Sequence, residues 1–126
     1  MLPGMRAKGA VLRLGQGRET ILCEGYATGL SIELAARSVG LPAAVLVTFS
    51  ATNLVHVAQF LKGRVFVFAD NDKSEAGERA AQDTGHPYCM SDIVGEDAND
   101  VHARAGLMAV AQMLMRVRRS EAVASG

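Results

Sequence analysis

Three acidic side chains follow predicted strands, and their type and spacing suit them to binding a metal ion. Glu24 follows the apolar run Thr20–Cys23, and Asp70 and Asp72 follow the run Val65–Ala69. Each run leads into a helical pattern, and ligands of open parallel α/β sheets bind at the carboxyl ends of the strands. Carboxylates gathered at one edge repel each other unless a cation lies between them, and Mg²⁺ or Mn²⁺ suits such oxygen ligands. The sequence therefore predicts metal-dependent phosphate chemistry at this edge.

A further acidic cluster, Gly95–Asp100, opens the last predicted helix. Asn99 or Asp100 is predicted to be the N-cap of that helix, which leaves Asp97 free to face the site. If the strands are parallel, this cluster lies at the same edge of the sheet as the other acids. Their coincidence at one edge favours a functional site.

Structural roles compete with this interpretation for each residue. Glu24 could complement the dipole of the helix that follows it, and Asp70 and Asp72 could cap the next helix. Gly25 permits a tight turn and a close approach of the backbone to a phosphate. Lys73 could contact a phosphate or simply be solvated. These alternatives remain open at the level of the residues alone.

The elements that must position these acids alternate along the chain. Residues 10–14 and 19–23 read as strands joined by a turn, so the chain is predicted to open with a β-hairpin. Helical patterns alternate with apolar strands thereafter, which favours parallel strands with helices on both faces. The predicted helices are 28–39, about 51–62, 74–84 and 101–117, and the later strands are 43–49, 65–69 and 86–90.

Composition limits the class of protein. The chain has 126 residues, 49% of them hydrophobic and 21% charged, and a formal net charge of zero. A stand-alone nucleic-acid binder usually carries a basic excess, so a grip on DNA is expected to be weak or supplied by another domain. The two cysteines, Cys23 and Cys89, are predicted to be buried free thiols. With no secretory leader or long apolar run in view, a cytoplasmic location is expected.

The domain organisation is predicted as a single unit with short flanking segments. Residues 1–17 form an N-terminal hairpin or edge segment, residues 18–117 the core domain, and residues 118–126 a linker or tail. The small residues of the tail suggest a domain cut from a longer protein.

The order and spacing of the acids resemble the Toprim domain, which is shared by bacterial-type primases, type IA and type II topoisomerases and some nucleases. The resemblance covers roughly residues 18–115 and rests on one glutamate after the first core strand and a D-x-D after a later one. It implies a three-layer α/β/α fold with a mainly parallel central sheet of about four strands and an N-terminal β-hairpin. The phrases that carry it are Glu24-Gly25-Tyr26, Asp70-Asn71-Asp72 and Gly95-Glu96-Asp97.

Within that family, the predicted hairpin and the phrases at residues 23–29 and 95–101 look most like the primases of phages and plasmids, which are often fused to helicases. The resemblance implies that Asp70, Asp72 and Asp97 hold Mg²⁺ or Mn²⁺ and that Glu24 acts as general acid/base or metal-side carboxylate. Where some bacterial primases carry further acids, this chain has Thr28 and Asn99, and Asp100 could substitute for the second.

The resemblance implies synthesis of RNA primers in DNA replication, by nucleotidyl transfer from nucleoside triphosphates on a single-stranded DNA template. A helicase domain or protein is an implied partner, and the domain alone is expected to be nearly inactive. Two alternatives remain open. The same acids could serve a nuclease or topoisomerase that cleaves DNA strands, for which Tyr26 and Tyr88 are poor candidate nucleophiles, or the domain could be a non-catalytic module that binds DNA or docks a helicase.

Overall fold

A computed structural model describes residues 9–125 as strands and helices that alternate around one sheet. The elements are β1 (Leu12–Leu14), β2 (Glu19–Cys23), α1 (Tyr26–Ser38), β3 (Ala43–Val47), α2 (Ala51–Ala58), β4 (Val65–Phe68), α3 (Ala76–Thr84), β5 (Tyr88–Cys89), α4 (Ala98–Ala105) and α5 (Leu107–Ser125). The strand order is β1-β3-β2-β4-β5; β2 to β5 run parallel and β1 runs antiparallel to β3. The predicted α/β fold with a mainly parallel sheet is confirmed.

Helices cover both faces of the sheet because its central strands are apolar on both sides. In β2, Ile21 and Cys23 pack in a core with α1, α4 and α5, whereas Leu22 packs in a second core with α2 and α3. All four residues of β4 are buried, as a continuous apolar run in a covered parallel sheet requires. The result is three layers, with the sheet in the middle.

The predicted N-terminal hairpin is wrong, because β3 lies between β1 and β2. β2 and β3 pair over five residues, from Glu19 opposite Ala43 to Cys23 opposite Val47, whereas β1 offers only three residues to a partner. The connection from β1 to β2 therefore passes β3, and at Gly17 it lies so close to the backbone of Pro42 that a Cβ would collide. Residues 15–18 form the irregular connection between β1 and β2, and these two strands do not pair with each other.

The last predicted helix is in fact two helices, α4 and α5, which meet at Gly106. Gly106 has a backbone φ of 92°, which residues other than glycine rarely adopt, so the helix is interrupted there. The helix α5 continues to Ser125, and the predicted domain boundary after residue 117 falls inside it. Just past that boundary, the Arg118 guanidinium donates hydrogen bonds of 2.8–3.1 Å to the buried Glu19 carboxylate of β2. Over the described residues, no helix is long and apolar enough to cross a membrane.

Both cysteines are free thiols, as predicted. Cys23 is fully buried at the end of β2, and Cys89 in β5 is partly buried. Burial raises the pKa of the Cys89 thiol to about 12, and burial together with nearby acids raises the pKa of the Cys23 thiol further. The sulfurs are therefore protonated packing groups and not thiolate nucleophiles.

Candidate metal centre

Two neighbouring parallel strands bring Glu24 and Asp70 to the same edge of the sheet. Leu22 of β2 lies opposite Val67 of β4 in the register, so both chains leave the sheet at the same level. Glu24 is the first residue after β2, and Asp70 is the second after β4. The predicted convergence of these acids at the carboxyl edge thus follows from the parallel pairing of two apolar strands.

Asp70 is the most perturbed carboxylate of this edge. Burial raises its pKa to about 7, and the negative charges of Glu24, Asp97, Asp72 and Asp100 add to that effect. Burial likewise raises the pKa of Glu24, with a further contribution from the charge of Asp72. Neighbouring carboxylates thus raise the pKa of both Asp70 and Glu24, and the edge concentrates negative charge that a cation would neutralise.

One oxygen of Asp70 is both buried and without a hydrogen-bond partner. Across the described part of the chain, Asp70 Oδ1 is the one buried side-chain nitrogen or oxygen atom in this condition. Buried polar atoms are almost always satisfied, so an orphaned carboxylate oxygen calls for a ligand. A hard cation fits this oxygen well.

The middle residue of D-x-D ties its loop to the neighbouring acidic loop. The Asn71 amide N–H donates to the Glu96 carbonyl at 3.0 Å, its side-chain amide donates to the Ser91 carbonyl at 2.7 Å, and its own carbonyl accepts from the Gly95 N–H. Sequence reasoning missed this role, although an asparagine between two aspartates is its signal. The tie holds the 91–97 loop beside the acids.

Neither Glu24 nor the aspartate pair caps a helix. The N-cap of α1 is Gly25, and that of α3 is Glu75; neither of these caps has a side-chain hydrogen bond. Asp72 instead accepts a hydrogen bond of 3.2 Å from the Ser74 hydroxyl through Oδ1. The competing interpretation of these acids as capping groups therefore finds no support in the described contacts.

Asp97, by contrast, is a capping residue, and the prediction that Asn99 or Asp100 caps α4 is wrong. Asp97 Oδ1 accepts from the Asp100 N–H at 2.9 Å, and Asp100 Oδ2 accepts from the Asp97 N–H at 3.0 Å. The helix begins at Ala98, two or three residues earlier than that prediction required, because this reciprocal capping box satisfies the amides of Asp97 and Asp100. Asp97 and Asp100 still act on Asp70 through their charge.

The remaining predicted residues lie in different surroundings. Asn99 accepts a hydrogen bond of 3.4 Å from Ser31 of α1, and Lys73 is exposed beside the D-x-D loop. Gly25 has φ −101° and ψ 154°, and a Cβ there would meet only Thr28 Oγ1 at 3.8 Å. Neither the backbone nor packing requires a glycine at this position, so its small size leaves space next to Glu24.

Glu96 is not a candidate metal ligand, because Arg104 and Ser91 already donate hydrogen bonds to its carboxylate. Arg104 donates to it at 2.6 and 3.0 Å and the Ser91 hydroxyl donates at 2.6 Å, and these bonds lower the pKa of Glu96 to about 2. Its charge is thus already compensated, unlike that of Asp70.

The acids offer a partial coordination sphere. Within residues 9–119, no three His, Cys, Asp or Glu side chains are placed to hold one ion together. Mg²⁺ usually keeps several waters and takes one or two carboxylates together with substrate phosphates, so a partial sphere suits it. Asp70 with Asp72 or Glu24 fits this requirement, and the donors are all oxygens.

Comparison with known proteins identifies the domain. The Toprim domain family matches residues 19–108, which span β2 to the start of α5 and include every acid of the edge. Comparisons with curated proteins and with solved structures gave no match.

Proposed function

The chain belongs to the Toprim family, and on this basis we propose that it is the catalytic domain of a DNA primase. Toprim domains occur in primases, topoisomerases and nucleases, and they bind divalent metals such as Mg²⁺. The proposed reaction joins ribonucleotides into an RNA primer on a single-stranded DNA template: the 3′-hydroxyl attacks the α-phosphorus of a ribonucleoside triphosphate, and pyrophosphate leaves. A helicase domain or protein is the proposed partner.

The observation that carries the proposal is the orphaned Asp70 oxygen amid other acids. Its raised pKa and its missing hydrogen-bond partner mark a carboxylate that is incomplete without a cation. Mg²⁺ bound there would neutralise phosphate charge and stabilise the transition state of in-line phosphoryl transfer. Asp70 and Asp72 are the side chains that would hold it.

The other residues of the edge have separable roles in the proposal. Glu24 accepts the proton of the attacking 3′-hydroxyl, because burial raises its pKa and so makes the carboxylate a stronger base. Asp97 keeps its metal-side role in the proposal through its negative charge and its second oxygen, since Oδ1 is used to cap α4. Lys73 is available to a phosphate oxygen, and Gly25 leaves room for the nucleotide beside Glu24.

The choice of primase over other Toprim enzymes rests on the resemblance of two phrases, at residues 23–29 and 95–101, since the predicted hairpin that also resembled primases does not form. In the structure, the second phrase is hydrogen-bonded to the D-x-D at residues 70–72 through Asn71. This contact supports the proposal because it brings that phrase to the acidic edge.

The test is primer synthesis by the longest available form of the protein. Asp70→Asn and Asp72→Asn should each abolish synthesis from ribonucleoside triphosphates and Mg²⁺, while the matched control Asp83→Asn, in exposed sequence on α3, should retain it. Normal synthesis by both edge variants would overturn the assignment. Metal-dependent nicking of plasmid DNA without nucleotides, lost in the same variants, would favour strand cleavage instead.

A further inference from the structure

Phe49 occupies an unusual position beside the candidate metal centre. It follows β3, and its amide N–H donates to the Glu24 carbonyl at 2.8 Å, which extends the parallel pairing of β2 and β3 to the acidic edge. The residue is 49% exposed. A large apolar side chain is thus presented to solvent at the point where the proposed substrate binds.

The backbone of Phe49 is held in a conformation that its side chain disfavours. Its φ is 69°, in the left-handed region, where a bulky residue is a genuine outlier. The Thr48 hydroxyl donates to the Cys23 carbonyl at 3.1 Å, the Asn53 side chain donates to the Thr48 carbonyl at 3.0 Å, and Ser50 caps α2. These contacts fix the loop on both sides of Phe49, and such strain at a site edge is typical of functional positions.

We propose that Phe49 is a stacking platform for one base of the single-stranded nucleic acid bound at this edge. Every base has an apolar face, and stacking on an aromatic ring binds single strands without sequence preference. The chain has no net positive charge to attract phosphates, so stacking on an aromatic ring would contribute a larger share of the affinity for nucleic acid. The inference rests on the proposed function, because it requires nucleic acid at the carboxylate edge.

Phe60, just after the helix α2 that follows Phe49 in the chain, provides a matched control. It is more exposed than Phe49, at 70%, but it lies past the carboxyl end of α2, at the far edge of the sheet. Its ring packs edge-on against His56, with a centroid distance of 5.1 Å. Loss of an exposed phenylalanine as such can therefore be separated from loss of the ring at the acidic edge.

The test is binding of a labelled oligothymidylate to the full chain in Mg²⁺ without nucleoside triphosphate. Phe49→Ala should weaken binding by about 5- to 100-fold, the range expected for one base–aromatic stack. Phe60→Ala should bind within about twofold of the wild type, because its ring is remote from the edge. With an abasic oligonucleotide of equal length, the wild type and Phe49→Ala should bind equally weakly.

A second variant reports the stack directly. The chain contains no tryptophan, so the indole of Phe49→Trp is its only one, and an oligothymidylate should quench its fluorescence. The indole of Phe60→Trp should be unaffected. Equal binding by Phe49→Ala and the wild type, or no quenching of Phe49→Trp up to millimolar oligonucleotide, would overturn the proposal.

The same assays separate this inference from the proposed function. Quenching of Phe49→Trp together with unimpaired primer synthesis by Asp70→Asn would retain the stacking platform and reject the metal assignment. Loss of synthesis in Asp70→Asn with no effect of Phe49→Ala on binding would do the reverse.

Discussion

Replacement of Asp70 by asparagine should stabilise the metal-free protein at neutral and alkaline pH. Burial and neighbouring acids raise the pKa of Asp70 from 3.8 to about 7 in the folded chain. Between these values the folded state binds more protons than the unfolded state, so the free energy of unfolding falls as the pH rises. Asparagine has a similar shape and no charge, and it escapes this loss.

The size of the effect follows from the change in pKa. A rise from 3.8 to about 7 corresponds to about 4 kcal/mol if it is converted directly. Because Asp70 is only partly buried, solvent screening reduces this, and we expect about 1–2 kcal/mol above pH 7. In a domain of this size that is a rise of about 3–8 °C in melting temperature.

Urea denaturation in a chelating buffer, repeated across the pH range, measures this difference. At about pH 4 and below, where the aspartate is protonated in the folded state, the two proteins should differ by less than about 0.5 kcal/mol. In a buffer without chelator, Mn²⁺ at pH 8 should stabilise the wild type and leave Asp70→Asn unchanged, because binding to the folded state alone raises stability. Asp83→Asn serves as the exposed control. A variant that is less stable than the wild type at pH 8, or a difference that does not vary with pH, would refute the reasoning.

Three further substitutions test the support of the site. Gly77→Ala should destabilise the protein by about 1–3 kcal/mol, because the alanine Cβ would collide with the Asp70 carbonyl oxygen. This loss should exceed the gain from the higher helix propensity of alanine, and increased thermal stability would contradict it. Arg118→Met should cost about 1–3 kcal/mol in urea denaturation, since it leaves the Glu19 carboxylate buried without its closest partner, and an unchanged midpoint would show that the pair is dispensable. Phe49→Gly should raise the free energy of unfolding by about 1 kcal/mol, because glycine adopts the left-handed conformation freely. The same variant should bind oligothymidylate more weakly than the wild type. A variant less stable than the wild type would show that the loop is not strained.

The parts of the fold that were predictable from the sequence are those set by local pattern. The run Val65–Phe68 has no polar residue, and such a segment must be covered on both faces. Once the strands are parallel, Glu24 and Asp70 must leave the sheet at one edge, so the position of the candidate site follows from pattern as well.

The errors concern choices that depend on tertiary contacts. The sequence of a three-residue strand such as β1 does not indicate which strand it pairs with. Its pairing with β3 rather than β2 depends on contacts that exist only in the assembled sheet. The role of Asp97 depends on whether α4 begins at residue 98 or two to three residues later, and a side chain that could cap the helix precedes each of these starts. Phe49 was missed because a left-handed phenylalanine leaves no trace in composition or periodicity.

The central place of β2 in the sheet bears on how the protein folds. On one side of β2 lies β3, and Phe49 after β3 donates its amide N–H to the Glu24 carbonyl. On the other side lies β4, and the charge of Glu24 acts on Asp70 after β4. Helix α1 connects β2 to β3, and α2 connects β3 to β4, so the complete edge does not exist until the chain has made both crossovers, which slows folding. A metal ion that requires Glu24 and Asp70 together would therefore bind only after the final docking of β4. Its uptake in a stopped-flow refolding experiment would report the last assembly step, later than the burial of the β2–β3 pair.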